Sequence, residues 1–282
     1  MNGRNTTLTL LACCCTILTV APSLLADFLR VISVTKTDLD TDFLCADGNG
    51  AFVPGPLTVC NVFAAFDEPD DRLLSVGNAE LQVFNGQVPD VFYQHPIDFD
   101  VPYDCSLLTI LPDLICDSYV AIGNVCDPGT DGTFTDGDWD LNGGGFNTNG
   151  RLTGGWFNGN GYNGQGDAGN DPPNHNLQVL ILQSSVARGL SLSGDMQIFW
   201  LDFDTGDVFA EVGVPVECAA TCGSCPTDAD ASGDTAAFDL ALLLGSWGPV
   251  TSAAACLDAD GDGIIGAPDL ADLLGAWGPC PG

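Results

Sequence analysis

The chain has 282 residues, and 38 Asp and Glu against six Lys and Arg give it a formal net charge of -32. That length admits one large domain, or a medium domain with a small appendage. The charge excludes nucleic acid and anionic membrane surfaces as partners, because binding phosphate needs clustered cations that release counterions. It favours a hard divalent cation bound through oxygen.

The first 26 residues carry Arg4 as their only charge, an apolar stretch from Leu8 to Val20, and the small residue Ala26 before Asp27. This is the pattern of a secretory signal peptide cleaved after Ala26. The apolar run falls short of the roughly 20 residues a membrane-spanning helix needs, so no transmembrane segment is expected in the mature chain. Leu10-Leu11-Ala12-Cys13 offers a rival lipoprotein cleavage site. Removing Cys13, Cys14 and Cys15 with the leader reduces the cysteines from 13 to ten, an even number that reads as disulfides in an exported chain. The close spacing of Cys218, Cys222 and Cys225 would also suit zinc, but no fourth ligand stands near, and His95 and His175 are the only histidines.

From Asp27 to Val216 the apolar runs are short and bounded by Gly, Pro, Asn and Asp. They predict strands at 29–35, 57–66, 81–84, 118–122, 177–182, 190–201 and 208–214. Short strands without a sustained helical period predict an antiparallel β-sandwich or jelly-roll-like domain over residues 27–217. Within it, the stretch from Cys126 to His175 is dominated by Gly, Asn and Asp. Set among these are Phe134, Trp139, Phe146, Trp156, Phe157 and Tyr162. So long a loop is unusual in a compact domain, and it is either a functional surface or contains short strands. The aromatics would then be a carbohydrate-stacking platform or pins holding the segment to the sandwich. The run Asp136-Gly-Asp138-Trp-Asp140-Leu-Asn142-Gly143 imitates a calcium loop, but Asn147 stands where the closing acid belongs.

Residues 228–249 and 258–279 align at a constant offset of 30, with 14 of 22 positions identical. This is a duplication of one supersecondary unit, which sets residues 218–282 apart. Each copy opens with acids at alternate positions, a glycine at position six and an acid at position twelve, the ligand spacing of an EF-hand-type calcium loop. In the second copy Asp258, Asp260 and Asp262 supply side-chain oxygens, Ile264 its backbone carbonyl and Asp269 the closing carboxylate. Gly263 permits the turn, and Ile265 is expected to point inward and tie the loop to its twin. In the first copy the ligands are Asp228, Asp230, Ser232, Asp234 through its carbonyl, and Asp239. Ser232 replaces an acid, so the first loop is expected to bind less tightly. After each loop an apolar stripe at i, i+3, i+4 and i+7 predicts a helix: Leu240, Leu243, Leu244, Trp247, then Leu270, Leu273, Leu274, Trp277. Both helices stop at Gly-Pro.

A calcium loop followed by one helix, twice over, resembles the type I dockerin, in the planctomycete variety ending in Trp277-Gly278-Pro279-Cys280. The resemblance covers Cys225 to Cys280. It implies a cohesin-like protein partner engaged through a helix face, often by a Ser-Thr pair at loop positions ten and eleven. Here those positions are Ala237-Phe238 and Ala267-Pro268, so anchoring or sorting at the cell surface stands beside cohesin binding. The segments FAAFDEPDDRLLSVGNAEL, DSYVAIG and GGWFNGNGYNGQGDAGN resemble recurring stretches in secreted proteins of planctomycete-type bacteria, which implies export and no particular activity. Dockerins are commonly appended to polysaccharide-degrading enzymes. With 38 acids, however, no one carboxylate pair stands out, and no Gly-x-Ser-x-Gly, His-Glu-x-x-His or phosphate loop is present. The expectation is a secreted, noncatalytic docking or anchoring protein. A carbohydrate-binding protein or dockerin-bearing hydrolase acting on polysaccharide is the alternative.

Overall fold

The computed structural model describes residues 28–36, 57–84, 92–95, 100–123, 132–137, 139, 144–147, 149–161, 163–170, 177–187, 189–218, 225–229, 232–250 and 256–280. The leader, Cys45, Cys126, Asp138, Asp140, Tyr162, His175, Cys222 and Asp230 lie outside them.

Among the described residues ten strands precede the duplicated unit: β1 (Phe28–Lys36), β2 (Leu57–Phe66), β3 (Arg72–Phe84), β4 (Tyr119–Val120), β5 (Thr133–Thr135), β6 (Gly145–Phe146), β7 (Arg151–Asn158), β8 (Gln178–Ala187), β9 (Ser191–Leu201) and β10 (Val208–Cys218). They form two antiparallel sheets. One has the order β1-β2-β8-β4, the other β10-β9-β3-β7-β5, with β6 paired to β7. A single core lies between them, built from Cys60, Val62 and Ala64 of β2, Val179 and Ile181 of β8, Leu73, Val76 and Leu81 of β3, and Ile198 and Trp200 of β9. The chain is thus mainly β, a two-sheet antiparallel sandwich.

All ten residues of β2 are buried, because its sheet is covered on both faces. Alternate side chains face the other sheet. Phe63 and Leu180 instead pack with Tyr103, Leu114 and Tyr119 beneath the short 3-10 turns Cys105–Thr109 and Pro112–Cys116. Among the described residues the second sheet is covered on one face only. Along β9, Leu192, Met196, Ile198 and Trp200 are buried while the residues between them reach solvent, the period-two pattern of a half-wet strand. Its outer face is where a ligand could approach.

Strands at 29–35, 57–66 and 190–201 were legible almost to the residue. The first half of β3 was not. A bulge at Gly77-Asn78, with Asn78 at φ 46°, breaks the alternation on which the prediction rested. The Cys126–His175 segment contains β5, β6 and β7, and its glycines make room for a ring. Trp139 is 1% exposed and donates Nε1–H to Asp100 Oδ2 at 2.9 Å. A Cβ on Gly145 (φ +75°) would lie 2.9 Å from Trp139 Nε1, and one on Gly154 (φ +124°) 3.1 Å from its six-membered ring. Trp139, Trp156 and Phe146 meet edge to face and are pins. Phe134 and Phe157 are exposed and stacked on each other, their ring centroids 6.0 Å apart.

All seven cysteines among the described residues are in disulfides. Cys60 of β2 bonds Cys218 at the end of β10, and Cys225 bonds Cys280. Cys218 therefore belongs with the sandwich, and zinc has no cluster of thiolates there to bind. Among the described residues no helix is long and apolar enough to cross a membrane.

Candidate functional site

The duplicated sequence folds into two copies of a turn, a two-residue strand, a nine-residue helix and a second two-residue strand. The first copy has β11 (Asp234–Thr235), α1 (Ala237–Gly245) and β12 (Gly248–Pro249). The second has β13 (Ile264–Ile265), α2 (Ala267–Gly275) and β14 (Gly278–Pro279). Pairing is crosswise: β11 with β14, and β12 with β13. Ile265 is fully buried, as its inward position requires, among Leu243, Val250, Leu257 and Leu273. Its strand partner is the exit of the other repeat, Gly248-Pro249, and not the twin loop.

In the second loop the carboxylates of Asp258, Asp260 and Asp269 converge, with an oxygen from each within 4.8 Å of the others. Backbone amides hold them there. Asp258 accepts from Asp262 N at 3.1 Å and Gly263 N at 2.9 Å, while Asp269 accepts from Ala259 N at 2.8 Å and Gly266 N at 2.7 Å. Gly263 takes φ +82°, the left-handed turn only glycine enters freely. Asp260 is pushed above its ordinary value. The Asp262 amide that lowers it is outweighed by desolvation and by the charges of Asp262, Asp269 and Asp258. Asp262 is exposed, with one carboxylate oxygen accepting from Ile264 N, and the Ile264 side chain is exposed.

The first loop repeats this frame. Asp239, fully buried, accepts from Ala229 N and Ala236 N, each at 2.7 Å, and Asp228 accepts from Ser232 N at 3.0 Å and Gly233 N at 2.9 Å. Ser232 Oγ donates to the Asp234 carbonyl at 3.1 Å and lies 3.0 Å from its Oδ1. The Asp234 carboxylate is exposed to solvent, with the Ser232 hydroxyl beside it. The converged carboxylates of Asp258, Asp260 and Asp269 offer oxygen alone and excess negative charge, which fits a hard cation; at the first loop Asp228 instead stands beside the sulfurs of Cys225 and Cys280.

Compared with known proteins, the chain matches no family model, no curated protein and no solved structure.

The predicted helical stripes divide. Leu243 and Leu273 are fully buried and Leu240 and Leu270 half-buried, whereas Leu244, Trp247, Leu274 and Trp277 are each about half exposed. A nine-residue helix lacks the length to carry all four positions: both end at glycine, and each Trp lies beyond the last turn. Phe238 and Ile264 are exposed as well.

A second surface lies on the outer face of the six-stranded sheet. Phe157, Ser75 and Phe199 sit side by side on β7, β3 and β9, with Phe134 next in the row. Between Phe157 and Phe199 runs a groove of about 360 Å³ over Ser75, Gly77 and Gly155. At its end the Asn78 amide donates to Gln197 Oε1 at 2.9 Å. The imitation loop contributes Asp136 to the lining, and the rest of that run falls largely outside the described residues.

Proposed function

We propose that residues 225–280 form a dockerin-like calcium-binding module by which an exported, noncatalytic β-sandwich protein docks onto a cohesin-like or other cell-surface protein. The observation that carries this reading is the convergence of Asp258, Asp260 and Asp269 within 4.8 Å, held by backbone amides in a duplicated frame. Asp228, Asp230, Ser232, Asp234 and Asp239 would hold one ion, and Asp258, Asp260, Asp262, the Ile264 carbonyl and Asp269 the other. Exposed Leu244, Trp247, Leu274 and Trp277 supply apolar surface of the kind that marks protein interfaces. Disulfides at every described cysteine support an oxidising compartment. The test is to express the chain in its source cell with and without the residues after Cys218. The full chain should remain on the cell surface and be released by a calcium chelator, and the truncated chain should appear in the medium. Retention of the truncated chain would assign anchoring to the other end.

A second reading, binding of a neutral polysaccharide by the sandwich, is favoured by the aromatic row and groove. Phe157 and Phe199 stand two strand spacings apart, roughly 10 Å, with amide side chains beside them to bond sugar hydroxyls. Retention on insoluble polysaccharide that is lost in Phe157→Ala and Phe199→Ala variants would support it.

A further inference from the structure

At one end of the sandwich two acidic turns meet: Asp67-Glu68-Pro69-Asp70-Asp71 between β2 and β3, and Asp202 to Asp207 between β9 and β10. Arg72 pairs with Leu201 in the sheet register, so Asp71 and Asp202 follow as the next opposed positions. Like charges directly opposite on neighbouring strands repel. Both side chains are 0% exposed. Neither carboxylate oxygen of Asp71 closes a hydrogen bond, nor does Oδ2 of Asp202. Only Asp202 Oδ1 is satisfied, by Thr205 N at 3.1 Å. The adjacent cation is committed elsewhere, Arg72 being paired with Asp167 and bonded to the Gly161 carbonyl.

Two buried carboxylates without a counter-charge cannot persist; they need a proton or a cation. Further acids crowd the same spot. Asp204, first, and then desolvation, Asp67, Asp202 and Asp70 push Glu68 above its ordinary value. Burial, first, pushes Asp71 up to about 6, with Asp202, Asp67 and Glu68 adding to the rise; the Phe203 amide, which faces it without reaching hydrogen-bond geometry, works the other way.

We propose that Asp71 and Asp202 are ligands of a calcium ion bound between these two turns, a site separate from the C-terminal loops. A divalent ion balances the two charges. The three bare oxygens are hard donors, and the remaining coordination would come from turn carbonyls, the more exposed acids and water, a mixture calcium accepts and the stricter octahedron of magnesium does not. No thiol or imidazole is offered, which disfavours zinc. Bound there, the ion would fasten the β2–β3 crossing between the sheets to the β9–β10 hairpin.

The test is calorimetric titration of the full, oxidised chain with calcium chloride near neutral pH. Wild type is compared with an Asp71→Asn/Asp202→Asn double variant and an Asp258→Asn/Asp269→Asn double variant. The first variant should lose one calcium equivalent and keep the C-terminal ones, and the second should keep the Asp71–Asp202 equivalent. In chelator, Asp71→Asn/Asp202→Asn should melt above wild type, since removing the repulsion leaves no charge to bury. An unchanged calcium count in that variant overturns the proposal, and with a raised melting point it would assign a shared proton to the pair. Loss of calcium by this variant alone would sustain the new site while defeating the calcium loops.

Discussion

Asp269 and Asp239 do at residue scale what makes each loop a loop. One carboxylate accepts the amide of the loop's second residue and the amide just before the helix, so the two ends of the turn are stapled by one buried side chain. Asp269→Ala would strand two amides, at about 1–3 kcal/mol for each that stays buried. The expected result is a lower melting temperature even in chelator, and a larger loss with calcium present. Ser232 marks the difference between the copies. For the two C-terminal loops, calorimetry of the Asp71→Asn/Asp202→Asn chain should resolve two affinities, the weaker one strengthening in Ser232→Asp, and Asp262→Ala should weaken the stronger. Tyr103 is a residue of another kind. Burial first, then the charge of Asp117, pushes its phenol up to about 12. A raised value means the fold favours the protonated form. This contribution is therefore intact below pH 10 and lost as pH rises from 10 to 12. Ultraviolet titration should show a late tyrosinate step that Tyr103→Phe abolishes.

At the scale of elements, the crosswise pairing makes each loop depend on the other repeat's exit. The first loop leans on Gly278-Pro279, and the Cys280 amide donates to the Gly233 carbonyl at 2.9 Å. Ending the chain at Gly275 should therefore weaken calcium binding at the first loop and spare the second, whose partner Gly248-Pro249 remains; titration of the truncated chain checks this. The two turns, each with a left-handed glycine at position six and a closing carboxylate at position twelve, were legible because that spacing is a local property of sequence. The crosswise partnership was not, since it joins residues far apart in the chain and a two-residue strand leaves no periodicity. The tryptophans misled for a related reason: spacing gives the face of a helix, and only its length says which positions remain on it, whereas Leu244 and Leu274 lie on the helices and still face solvent. In the sandwich, β7 was hidden by Gly154 and Gly155, whose missing side chains leave room for Trp139 and for Asp136 Oδ2, 2.8 Å from where a Cβ on Gly155 would stand. Asp71 and Asp202 were lost among 38 acids, because burial, not identity, distinguishes them.

For the whole molecule, a net charge of -32 means that folding brings like charges together, so cations and covalent links must offset what the core alone cannot. The Cys225–Cys280 bond closes a 55-residue separation and by loop entropy contributes about 4 kcal/mol. Replacing both cysteines by serine should raise the calcium concentration at which the C-terminal helices form, followed by circular dichroism. The Cys60–Cys218 bond has a mechanical meaning. Under the proposed docking through its tail the protein would be pulled at Cys218, and β10, an edge strand among the described residues, is one that tension at its last residue would unzip one hydrogen bond at a time. The disulfide would carry that load from Cys218 directly into β2, in the interior of the opposite sheet. Only after reduction would β10 be the first part to yield.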